Sequence, residues 1–257
     1  MLCLLAATLV AYKIPAKPVT FDVGVTFEGF IPILGGQEGT VAVTMGVDAG
    51  ALEPDSDGLP QAVSEVKALK IVFNDAELPL GVEAIQAYFP KTTVTYSPEG
   101  KILKSNAPDK VLPVKLPGLD IKRFPDITYM PIEFPSDGIE VGKEWSYKKS
   151  FGGSDVAYAV TPISIEGNTV QLSLKVSQEF TVLEDDGLNV VTDEKLAYAK
   201  VKTVVSGGGK ATFDLSEGLA TYVLVEATAD TEVSPLSGKT PSKRSLKTKL
   251  EIRRRTK

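Results

Sequence analysis

The 257-residue chain contains no histidine and a single cysteine, Cys3. Histidine is the usual general base near neutral pH and the commonest metal ligand. Without it, Ser-His-Asp and Cys-His catalysis are excluded, along with the common zinc sites. One cysteine excludes an intramolecular disulfide framework. Helical periodicity is almost as scarce. Only Gly81 to Phe89 carries it, with Val82, Ile85 and Phe89 on one side and a stop at Pro90, which predicts one short helix. These absences leave carboxylate pairs, Ser-Lys dyads and all-oxygen calcium sites open. No sequence spacing encodes the separation of a glycosidase acid and nucleophile, so no catalytic residue, cofactor-binding residue or metal ligand is nominated.

Hydrophobic residues make up 43% of the chain and charged residues 24%, enough for a core and normal for a soluble protein. The length suits one large β domain or two of ordinary size. The net charge of −5 conceals an asymmetry. Nine basic residues and one acid from Lys239 onward leave that tail at +8, so the preceding chain stands at −13.

Alternation with period two dominates what is there. Phe21, Val23, Val25 and Phe27 share one face, against Asp22, Thr26 and Glu28 on the other. Val170, Leu172, Leu174 and Val176 alternate with Gln171, Ser173, Lys175 and Ser177. Similar stripes run through Val41 to Val47, Leu69 to Phe73 and Val223 to Ala229. Turn pairs fall between them: Asp57-Gly58, Glu99-Gly100, Gly167-Asn168, Asp186-Gly187 and Glu217-Gly218. One polar face per strand predicts an all-β, mainly antiparallel fold.

Two stretches half the chain apart resemble each other. Glu38 to Met45 followed by Leu52 to Leu59 matches Glu166 to Leu174 followed by Leu183 to Leu188. Thr95 to Gly100 then matches Thr212 to Gly218. Such self-similarity predicts two related β units, as a sandwich or half-barrel. Residues 13–105 form the first unit and 137–257 the second, ending in a basic strand. The connector, residues 106–136, holds six prolines between Asn106 and Pro135, which exclude a central strand. Its many apolar residues predict a strap packed along the surface. Trp145, the only tryptophan, takes a packing role. Residues 1–12 are read as a signal-peptide remnant: apolar, with small residues at Ala7 and Ala11, and shorter than the about 20 residues of a membrane span. The competing reading is a buried first strand.

Three motifs invite chemistry. Ser206-Gly207-Gly208-Gly209-Lys210 lacks the glycine spacing, the Lys-Ser or Lys-Thr pair and the helix of a phosphate loop, and predicts a glycine-rich hairpin or bulge. Asp55-Ser56-Asp57-Gly58 resembles part of a calcium loop, but Ser64 stands where the final glutamate belongs. The acids at Glu184, Asp185 and Asp186 occupy the matching turn, and both sites read as ordinary turns with solvated carboxylates. The last strand carries Lys247, Lys249, Arg253, Arg254 and Arg255. It reads either as an edge strand protected by charge or as a surface that docks on an anionic envelope component. The acidic body and the lack of interleaved aromatics argue against nucleic acid.

Met130-Pro131-Ile132-Glu133-Phe134-Pro135, followed by Val141-Gly142-Lys143-Glu144-Trp145, resembles a segment of uncharacterised exported bacterial β-rich proteins. Gly207 to Phe213, leading to Gly218, is similar to a recurrent strand pair of theirs. The resemblance implies export and β structure, and brings no activity or site residues. The resulting expectation is a non-enzymatic exported protein, periplasmic or at the cell surface, with no cofactor. It would bind or carry an apolar or lipid-like ligand. A structural or surface-interaction protein without a cavity is the alternative, and a carboxylate-dependent hydrolase the third reading.

Overall fold

The computed structural model describes residues 7–31, 36–85, 89–107, 121–151 and 154–256. Six strands come from the first half: β1 (Val19–Ile31), β2 (Gln37–Leu52), β3 (Gln61–Phe73), β4 (Ala76–Leu78), β5 (Thr92–Tyr96) and β6 (Ile102–Ser105). Seven come from the second: β7 (Trp145–Phe151), β8 (Ser154–Glu166), β9 (Thr169–Glu184), β10 (Val190–Val191), β11 (Ala199–Asp214), β12 (Leu219–Pro235) and β13 (Ser242–Arg254). The periodic stripes named above all lie in strands, and the turn pairs lie between them. The predicted helix is a single turn, Val82–Ile85, and the remainder of its expected span to residue 88 lies outside the described residues.

All thirteen strands belong to one antiparallel sheet, in the order β6-β5-β3-β2-β1-β13-β12-β11-β9-β8-β7, with β4 beside β3 and β10 beside β9. The register converts each strand's alternation into two sheet-wide faces. One row reads Val25, Leu250, Val225, Gly209, Leu174 and Val160 across β1, β13, β12, β11, β9 and β8. The adjacent row reads Thr26, Lys249, Glu226, Gly208, Lys175 and Ala159. One face is therefore apolar and buried or half-buried, the other charged and wet. The two halves share this single sheet and do not pack as a sandwich.

Their junction is β13. It pairs with β1 on one side and β12 on the other, so the basic strand is central and not an edge. The expectation of an edge strand protected by lysines is thereby overturned. Local alternation is identical for edge and central strands, and only the partner 200 residues away distinguishes them.

The sheet is rolled into a half-pipe. In a flat sheet, β5 and β12 would stand about 24 Å apart, at about 4.8 Å per step. Yet Tyr12 donates its backbone N–H to Pro98 in the turn after β5, and the adjacent Lys13 donates to Gly218 in the turn before β12. These are the two turns that resemble each other in sequence. Both present a glycine with positive φ to the segment they hold, and a β-carbon at either would strike it: on Gly100 it would lie 2.4 Å from the Tyr12 ring, and on Gly218 2.6 Å from Lys13 N.

Residues 8–14 are thus built into the fold. Thr8 bridges to Ile139, and Val10, Tyr12 and Ile14 are buried. The described part of the connector also departs from expectation. Phe124, Ile127, Tyr129, Met130, Ile132 and Phe134 are all buried on the concave face. This part of the strap is core, not surface, because its apolar side chains have no second sheet to pack against and fill the half-pipe themselves. Val111, Leu112, Leu116 and Leu119 lie outside the described residues. Trp145 rests on it, with Nε1 donating 2.8 Å to the Glu133 carbonyl.

Candidate functional site

Beyond the strap, the concave face is not filled. The apolar row positions on β1, β13, β12, β11 and β9 converge there, and β11 contributes glycines where side chains would otherwise stand. A β-carbon on Gly209 would lie 1.8 Å from the Leu224 carbonyl oxygen, and one on Gly207 2.3 Å from that of Glu226. Gly207 and Gly209 both alternate onto the concave side, in register with Val176 and Leu174. Their lack of side chains lets the β12 backbone approach β11 closely there. The glycine run is therefore the middle of a sixteen-residue strand, with unbroken pairing on both sides, and neither a phosphate loop nor a hairpin or bulge.

Val25, Phe27, Leu174, Val223, Val225 and Leu250 are among the residues lining the resulting concavity. It encloses about 940 Å³ of space continuous with solvent, within which the void comparable to a buried cavity measures about 100 Å³. Ile127 and Pro131 of the strap and Tyr147 and Tyr158 of β7 and β8 close one side. The two tyrosine rings stack at 4.9 Å, 9° from parallel.

A charged cluster adjoins this wall through Asp126. Lys149 on β7 is fully buried, and its Nζ is paired with Asp126 Oδ1. Met130 O stands 3.5 Å from the same nitrogen and Glu133 Oε1 3.9 Å. Arg123 donates Nε to Ser150 O at 3.0 Å and brings Nη1 to 3.5 Å from Asp126 Oδ2. Burial raises the Glu133 carboxyl above its usual range, an effect that the Lys149 charge opposes. Burial likewise raises the hydroxyls of Tyr147 and Tyr158. A buried ion pair of this kind is costly to assemble and costlier to break. Sequence reasoning nominated none of these four residues. The signal for one was present: Trp145, Tyr147, Lys149 and Phe151 alternate onto a single face, which puts a lysine inside an apolar stripe.

The predicted docking residues lie elsewhere. On the convex face, Lys247 stands against Glu28, Lys249 against Glu226, Arg253 against Glu251 and Arg255 against Asp22. Arg254 alternates to the other side and pairs with Glu217. The basic strand is inserted between acidic neighbours, and docking would have to open these pairs. The acidic turns are held by their own backbones. Asp55 Oδ1 accepts from the N–H groups of Asp57 and Leu59, and Asp185 Oδ1 from Asn189. Each of those bonds lowers the carboxyl's pKa. The structural correspondence between the copies is therefore Asp55 with Asp185, one residue from the match that the glycines suggest. No group of three or more potential metal-ligating side chains occurs among the described residues.

No family model and no curated protein matches the chain. Among solved structures it is similar to lipovitellin, in a structure describing lipid–protein interactions in that protein. The TM-score is 0.51 at 11% identity, over 94% of this chain and 25% of the lipovitellin chain. The chain thus spans a quarter of that protein's length, and likeness at this identity concerns the fold alone.

Proposed function

We propose that the protein binds an apolar or lipid-like ligand on the concave face of its sheet and acts as a binding or carrier module. The observation that carries this reading is the concavity lined by Val25, Phe27, Leu174, Val223, Val225 and Leu250, apolar side chains from β1, β9, β12 and β13. Ligand sites are concave, mostly apolar and furnished with few polar groups, and this one has that character. Its deep void is small. A dry cavity of about 150 Å³ takes a benzene ring, so about 100 Å³ takes the end of an alkyl chain. The remainder of a longer ligand would lie in the open part of the concavity. The likeness to lipovitellin, whose structure concerns lipid–protein interactions, is compatible with this use of the sheet.

Heptane, which has no polar group, tests the reading on the intact protein. Methyl NMR signals of Val25, Leu174, Val225 and Leu250 are expected to shift saturably with added heptane. Ala227→Phe, at a position lining the void, should abolish the shifts while the far-ultraviolet circular dichroism stays unchanged. If heptane leaves those methyl groups unmoved, the concave face is packing and not a binding site.

A further inference from the structure

Asp126 lines the concavity and is 4% exposed. Its Oδ1 is taken by Lys149, whereas Oδ2 is buried and accepts no hydrogen bond. The Arg123 guanidinium makes only an ionic contact with it, at 3.5 Å. Buried carboxylate oxygens are rarely left without a donor, because the loss of hydration is then uncompensated. Nearby, the Tyr147 hydroxyl donates to Pro131 O and Gln178 Nε2 donates to Ser154, whereas the buried Tyr129 hydroxyl, like Asp126 Oδ2, has no hydrogen-bond partner.

Building on the ligand-binding reading above, we propose that the ligand is a neutral, hydroxyl-headed amphiphile. Its hydroxyl donates to Asp126 Oδ2 and its chain enters the apolar void. The charge balance selects the head group. Asp126 and Glu133 face Lys149 and Arg123, two carboxylates against two cations, so the cluster is already compensated. An ammonium head would add an unmatched buried charge, and a carboxylate head would set a second acid beside Asp126. A hydroxyl supplies the missing donor and adds no charge.

Calorimetric titration of the wild-type protein with decan-1-ol and decyl methyl ether isolates the donor, since the two share a chain and only the alcohol can donate. The alcohol is expected to bind at least about tenfold more tightly, the scale of a hydrogen bond to a charged group. Decanoate and decylammonium should both bind more weakly than the alcohol. Equal affinity for alcohol and ether would overturn the assignment and leave Oδ2 to a buried water. Tightest binding by decylammonium would overturn the neutral head group. Asp126→Asn should narrow the alcohol–ether difference to less than about threefold while heptane still binds. If that variant loses heptane as well, it has lost its fold, and the wild-type comparison decides. Failure of heptane on the wild type defeats the binding reading itself, whereas heptane binding without alcohol preference defeats only the head-group assignment.

Discussion

Tyr12 and Asp214 illustrate how single side chains secure the ends of the half-pipe. The Tyr12 hydroxyl donates to Ile132 O at 3.0 Å and accepts from Ile132 N at 3.3 Å, while its ring meets Phe134 and Phe213. Burial raises its pKa far above the usual tyrosine range, so the hydroxyl stays protonated and both bonds persist at any ordinary pH. Asp214 begins the turn that holds Lys13. Its Oδ1 accepts from the Ser216 hydroxyl and from the N–H groups of Ser216 and Glu217. The Ser216 hydroxyl bond leads in lowering its pKa. A carboxyl lowered by folding contributes stability that is complete above the unfolded value of about 3.9 and disappears as pH falls through the folded value. The melting temperature should therefore drop between about pH 4 and pH 2, and Asp214→Asn should lessen that drop relative to wild type. Equal acid sensitivity of the two proteins would show that this turn does not contribute.

At the level of elements, β11 is where sequence and curvature meet. Gly209→Ala must push the β-carbon into the Leu224 carbonyl, whereas a β-carbon on Gly24, also mid-strand, would have only the Glu251 carbonyl oxygen near, at 4.0 Å. Denaturant unfolding should find Gly209→Ala destabilised by more than about 2 kcal/mol relative to Gly24→Ala. Similar losses at the two sites would show that the close approach of β12 to β11 does not depend on glycine. The strands themselves were legible because period-two alternation is local, and Val170 to Val176 displays it without any knowledge of partners. The position of β13 was not, since pairing between Asp22 and Arg253 leaves no trace in either neighbourhood. The burial of Ile132 or Tyr129 in the strap was half legible. Their apolar character was plain, but proline had directed the chain to the surface. In the candidate site, Lys149 could be read from its place in the Trp145 stripe, while Asp126 could not, because its segment has no periodic pattern to mark an inward position.

For the molecule as a whole, stability rests on one seam. A chain ending at Lys239 would lack β13 and leave β1 and β12 without a common partner. It should lose the single cooperative unfolding transition by circular dichroism and calorimetry, whereas neutralising Lys249 alone should cost less than about 1 kcal/mol. A cooperative transition retained by the shortened chain would mean that the two halves fold independently. The same seam has a consequence for the order of events during synthesis. The outer side of β1 leaves the ribosome more than 200 residues before its complement exists. Throughout that interval it is an open strand edge beside an unfilled greasy trough, and such edges recruit other chains. Until the thirteen-residue β13 is made and closes that gap, the first half of the nascent chain carries its own hazard of misassembly.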